Sequence, residues 1–136
     1  VETDIPSDQM GLAEPLGCVV NAHGRLKVGL HDTVAVIGAG PIGVMHAVVS
    51  RLQGAQKVWL LDTMENRLQM VEAFDVDGTI QVRADGSHLD RMKDLTDGFG
   101  PSVVIVACSN AHAQAAKMTT SKADAAPTAC NRRSAA

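Results

Sequence analysis

The sequence predicts an α/β fold, a doubly wound parallel sheet in three αβα layers, on three observations. Apolar, β-branched runs at 34–37 and 103–106 read as buried strands. Segments with apolar residues at helical spacing alternate with the strands. The first run breaks into Gly38-Ala39-Gly40-Pro41-Ile42-Gly43 and continues in a helix-compatible segment.

The elements follow in order. After a leading segment, Glu14-Pro15-Leu16 reads as a helix start, with Pro15 tolerated in the first turn. Leu16, Val19, Val20 and His23 fall on one face of that helix. Gly29 and Asp32 bound the turn into the strand at 34–37. A helix over 42–53 follows, with Ile42, Met45, Val49 and Leu52 at one-face spacing, and Gly54-Ala55 stops it. A strand over 57–62, a polar helix over about 65–74 and a third strand at 79–82 come next. The stretch 88–97, with Leu89, Met92 and Leu95, has a helical rhythm, and Gly98 to Pro101 break it before the strand at 103–106. Strand and helix alternate throughout, which predicts parallel pairing with helices on both faces. The two most apolar strands are expected side by side, with a ligand at their carboxyl ends where strand order reverses.

Each glycine of the turn has its own reason. Gly38 permits the sharp exit from the strand, Gly40 lets a pyrophosphate approach the backbone, and Gly43 lets the new helix pack closely. Free N–H groups and the helix dipole at that point favour a phosphate. Asp62, at the end of the next strand, lies 19 positions past Gly43. A carboxylate there accepts hydrogen bonds from ribose hydroxyls and repels the extra phosphate of NADP, so the pattern points to NAD and a Rossmann-type domain. The plainer reading of Asp62 is a strand-end or N-cap residue.

Composition narrows the classes. A chain of 136 residues bounds one domain, and a single Trp with two Phe and no Tyr makes the core aliphatic. The net charge of −3 argues against a nucleic-acid surface. There is no apolar run of membrane length and no signal pattern, so the expected setting is soluble and cytoplasmic. Cys18, Cys108 and Cys130 are far apart, which suits reduced thiols and gives no zinc-ribbon spacing. Residues 1–118 are read as a partial NAD-binding domain. Residues 119–136 lack any large aliphatic side chain and are read as a disordered tail. The stretch 117–136 carries a net +3, leaving −6 for the rest.

The chain resembles the medium-chain, zinc-dependent alcohol and polyol dehydrogenases, the group containing sorbitol, threonine and galactitol-phosphate dehydrogenases. The matching residues are Ala13-Glu14-Pro15-Leu16 with His23 downstream, residues 34–43, Gly54-Ala55, Asp62 with Arg67-Leu68, and residues 95–100. The resemblance covers about residues 8 to 117 and implies several roles. Ile42 would border the pyrophosphate and the nicotinamide end, Asp62 would hold the ribose, and Arg67 would flank the adenine side. Glu14 would face the catalytic zinc, as a ligand or in a proton relay beside it; on its own, it is a solvated first-turn residue favoured by the dipole. The resemblance also implies an alcohol or polyol substrate and a homo-oligomer for the complete protein.

The departures shape the expectation as much. The family carries its main zinc ligands ahead of the Glu-Pro element and further strands after the one at 103–106; the chain is therefore read as an incomplete piece, inactive alone. His31 and Ser102 stand where the family more often has a small or acidic residue. Cys108 and Asn110, after the last strand, read equally as contacts near the nicotinamide and as an ordinary strand-end turn. Cys18 and His23 are five apart on a helix and cannot pinch one metal locally. His46 reads as a packing residue. The competing reading is a non-catalytic NAD-binding or sensing module, which has no need of a zinc-side carboxylate.

Overall fold

The computed structural model describes residues 4–109 and the backbone of 130–132, with backbone alone at positions 7 and 8. The elements are α1 (Ser7–Met10), α2 (Ala13–Leu26), β1 (Thr33–Ile37), α3 (Pro41–Leu52), β2 (Lys57–Asp62), α4 (Glu65–Val71), β3 (Gly78–Gln81), α5 (Ser87–Asp94), β4 (Val103–Val106) and β5 (Cys130–Arg132). The expected alternation is present: the strands at 57–62 and 103–106 fall where expected, and the other boundaries shift by no more than three residues.

The sheet order is β3-β2-β1-β4-β5. The first four strands are parallel, and β1 pairs with both β2 and β4, Val34 standing opposite Val58 and Val103. The two most apolar strands are therefore neighbours, as expected. The chain winds outward from β1 through β2 to β3, then returns to β4 on the other side of β1. That reversal opens a crevice at the carboxyl ends of β1 and β4.

The strands alternate between two apolar layers. Val34, Val36, Val58, Leu60, Val103 and Ile105 pack under α2, α3 and α4, joined by Leu26, Ala47, Leu68 and Val71. Ala35, Trp59, Leu61 and Ile80 face the other way and pack on Met92 of α5. β1 and β2 thus each feed both cores, which is why these central runs lack polar alternation.

Two helix faces differ from expectation. In α3 the buried residues are Gly43, His46, Ala47 and Ser50, while Ile42 and Leu52 are exposed. The helix lies close on the sheet, so its small residues face inward and the large ones turn out. In α2 the buried residues are Val19, His23 and Leu26, while Leu16 and Val20 are exposed. That face starts one turn later than the apolar spacing suggests. The three-residue β5, antiparallel to β4, is a further departure: its composition gives no strand signal. The rest of the supposed tail lies outside the described residues.

Candidate dinucleotide site

The glycine turn is built by close backbone approaches. Gly38 adopts φ +111°, and a Cβ there would lie 2.8 Å from the Ala107 carbonyl oxygen of the neighbouring β4 end. Its N–H donates to Leu61 O at 2.7 Å, while Ala107 N–H donates to Ile37 O at 2.8 Å. The turn is thereby tied to both neighbouring strands. Gly43 sits closest: a Cβ there would stand 1.8 Å from Gly38 O. Gly40 is different, since a Cβ there would meet nothing within 4 Å.

Gly40 is the N-cap of α3 in extended conformation, with no side-chain cap, and Pro41 fills the first turn. The first main-chain bond into the helix runs from Val44 N–H to Gly40 O, 3.0 Å. The Ile42 and Gly43 N–H groups therefore have no acceptor within the helix. Open space above Gly40 and unpaired donors at a helix N-terminus suit a pyrophosphate. The sequence-expected cradle of Gly38, Gly40, Pro41, Ile42 and Gly43 is one continuous turn.

Asp62 ends β2 beside this turn and is buried. One carboxylate oxygen accepts Ala39 N–H at 2.8 Å, and the other accepts Met64 N–H at 2.9 Å. Arg67 of α4, half-exposed, lies 3.7 Å away. Burial pushes the Asp62 carboxyl up, but the Met64 and Ala39 donors and the Arg67 guanidinium outweigh it and hold it below the usual carboxylate range. The carboxylate stays ionised at neutral pH. Sequence reasoning missed the Ala39 bond because backbone donors leave no mark in residue identity.

The other expected site residues are less gathered. Cys108 is half-buried beside the turn: its Cβ would lie 3.2 Å from a Cβ at Gly38. Asn110 lies outside the described residues. Glu14 is exposed in the first turn of α2, and Cys18 donates to it at 3.6 Å. Among the described residues no three His, Cys, Asp or Glu side chains stand close enough to hold a metal ion. Glu14 would thus be at most a contributor to a zinc site. Cys18 and His23 do not meet, as expected. The structure instead joins His23 to His46, whose ring nitrogens are 3.1 Å apart. No spacing rule connects two residues on different helices, so sequence reasoning missed this contact.

A glycine turn opening a helix N-terminus, with an ionised carboxylate at the adjacent strand end, defines a dinucleotide-binding α/β domain. The chain belongs to the medium-chain, zinc-dependent alcohol and polyol dehydrogenase family. It is 35% identical over 105 residues to the erythritol/L-threitol dehydrogenase of Mycolicibacterium smegmatis, covering 77% of this chain and 29% of that protein. It is 34% identical over 102 residues to the L-threonine 3-dehydrogenase of Rhizobium rhizogenes, covering 73% and 29%. The fold superposes on zinc-dependent alcohol dehydrogenase 2 from Streptococcus pneumonia in its apo form, with a TM-score of 0.65 and 26% identity, covering 74% of this chain and 30% of that one. No family model matches the chain. The chain spans about three tenths of the length of the curated relatives it matches.

Proposed function

We propose that the chain is the NAD-binding part of a zinc-dependent oxidoreductase that transfers hydride from a secondary alcohol or polyol to NAD, and that this chain alone is inactive. The observation that carries the reading is the open backbone at Gly40 set beside the ionised, buried Asp62.

In this reading Gly38, Gly40, Pro41, Ile42 and Gly43 hold the pyrophosphate through backbone N–H groups. Asp62 accepts from the ribose hydroxyls through lone pairs not used by Ala39 and Met64. Its charge also repels a ribose phosphate, which favours NAD over NADP. Arg67, paired with Asp62, flanks the adenine side. Cys108 and Asn110 border the nicotinamide end. When bound, the cofactor would supply the hydride acceptor. Glu14 would hold or pass a proton near a zinc whose remaining ligands the described residues do not provide. We extend the reading to a cytoplasmic homo-oligomer for the whole protein. The free Cys18 and Cys108 thiols are in keeping with that compartment. No helix among the described residues is long and apolar enough to cross a membrane.

Isothermal calorimetry with NADH tests the reading. The 136-residue chain should bind NADH more tightly than NADPH. Asp62→Ala should weaken NADH binding and narrow the preference. Folded protein with no binding heat, or an Asp62→Ala variant with unchanged affinity and preference, would refute it.

A further inference from the structure

The buried contact between His23 and His46 plays no part in cofactor binding. His23 Nδ1 lies 2.7 Å from Gln53 Oε1, the C-cap residue of α3. An amide oxygen only accepts, so Nδ1 carries the hydrogen and Nε2 of a neutral His23 is an acceptor. His46 Nδ1, 3.1 Å from that Nε2, therefore donates. Two hydrogen bonds in series thus run from the end of α3, through α2, back to the middle of α3. The rings tilt by 34° with centroids 5.2 Å apart, so they meet through ring nitrogens and not face to face. Both imidazoles are buried.

We propose that the pair is a proton-operated latch, which holds α2 against α3 while both rings are neutral and releases α2 when acid protonates them. With both rings charged, His23 Nε2 and His46 Nδ1 each carry a hydrogen, and the bond between them becomes a repulsion. With one ring charged, an ion sits between two packed helices. The charged groups of the surrounding elements are occupied elsewhere. On α2, Glu14 takes the Cys18 thiol and Arg25 is exposed, as are Lys27 and His31 beyond the helix. On α3, Arg51 pairs with Asp75 and Asp77. On β2, Lys57 pairs with Asp77 and Asp62 with Arg67. β1 carries no charge. Burial accordingly lowers the pKa of His23, though its bond to the Gln53 side chain and the backbone of His46 oppose this. Burial and the neighbouring His23 lower that of His46 to about 4. Opening the interface returns a ring to the ordinary value of 6.5. For His46 alone, the open-to-closed ratio then rises about twentyfold between pH 7 and pH 5. The latch matters for the glycine turn because α3 is the helix that begins there.

Amide hydrogen exchange on the 136-residue chain, corrected for intrinsic rates, tests the latch at about pH 7 and pH 5. The expected result is a roughly twentyfold loss of protection in α2 at pH 5, with β1 and β2 retaining theirs. His46→Gln, whose amide still donates to His23 Nε2, should recover most of that loss. Equal loss in the strands, or the same α2 loss in His46→Gln, overturns the proposal. An NMR titration of the two rings needs no variant: both rings neutral well below the ordinary value supports it, and both titrating near 6.5 overturns it.

Discussion

Alanine at Gly43 and alanine at Gly40 should separate the fold from the binding site, although the two glycines stand three residues apart. At Gly43 the added Cβ would lie 1.8 Å from Gly38 O and 2.9 Å from Gly38 C. Both are backbone atoms of a turn tied to β2 through Leu61 O, so no side-chain rotation relieves the clash. An ordinary contact needs about 3.4–4 Å, so α3 must retreat by more than about 1 Å, most of the ~1.5 Å rise of one residue. The retreat would open space beneath Ala47 and Ser50, both fully buried. Overpacking of this kind costs about 3 kcal/mol, at the upper end of the usual range. In a domain of this size that lowers Tm by on the order of 15 °C. At Gly40, φ is −81° and a Cβ meets nothing within 4 Å. Gly40→Ala should therefore leave Tm within about 3 °C, because no strain arises and the unfolded chain loses entropy. Its NADH affinity should nonetheless fall, because the methyl fills the space above the helix N-terminus. Calorimetric unfolding measures the first effect and NADH titration the second. A Gly43→Ala protein with unchanged Tm refutes the packing argument, and a Gly40→Ala protein with unchanged NADH affinity refutes the cradle.

Two further outcomes are expected. Asp62→Asn leaves one of the Ala39 and Met64 N–H groups facing an amide NH2, at a cost of about 1–3 kcal/mol in urea unfolding at pH 7. The folded carboxyl titrates below its usual 3.8, so its stabilisation is present above that value and is lost as pH falls through the lower one. The gap between variant and wild type should close in acid, and a gap independent of pH would count against the assignment. Arg51→Ala removes bonds to Ala55 O, Gln56 O and Asp77, which join the end of α3 to β2 and the approach to β3. The expected loss is about 1–2 kcal/mol by the same assay, with NADH binding unchanged; a wild-type midpoint would show these bonds to be idle.

Much of the fold was legible because it rests on local chemistry. The β-branched residues of a run such as 34–37 favour a sheet, and its lack of polar positions requires cover on both faces. Gly38 and Gly43 marked a turn that side chains enter only with strain or a backbone clash, and Gly40 marked its open side. The inward faces of α2 and α3 were less legible. Apolar spacing selects large residues such as Leu16 and Leu52, yet the helix-to-sheet distance admits Gly43, Ala47 and Ser50 instead. The strand at β5 was invisible because its residues carry no apolar or β-branched signal, and its pairing to β4 joins distant parts of the chain.

The candidate site divides the same way. Residue order alone placed the glycine turn before a helix and Asp62 at the end of the following strand, since both follow from strand and helix lengths. Tertiary structure alone decided what those groups touch. It set Asp62 on Ala39 N–H, pressed Gly38 against Ala107, and brought His23 against His46 between two helices. The physical reason is range. Propensity and spacing act over a few residues, whereas these contacts join positions 23 or more apart, and only the packing of whole elements brings them within hydrogen-bonding distance.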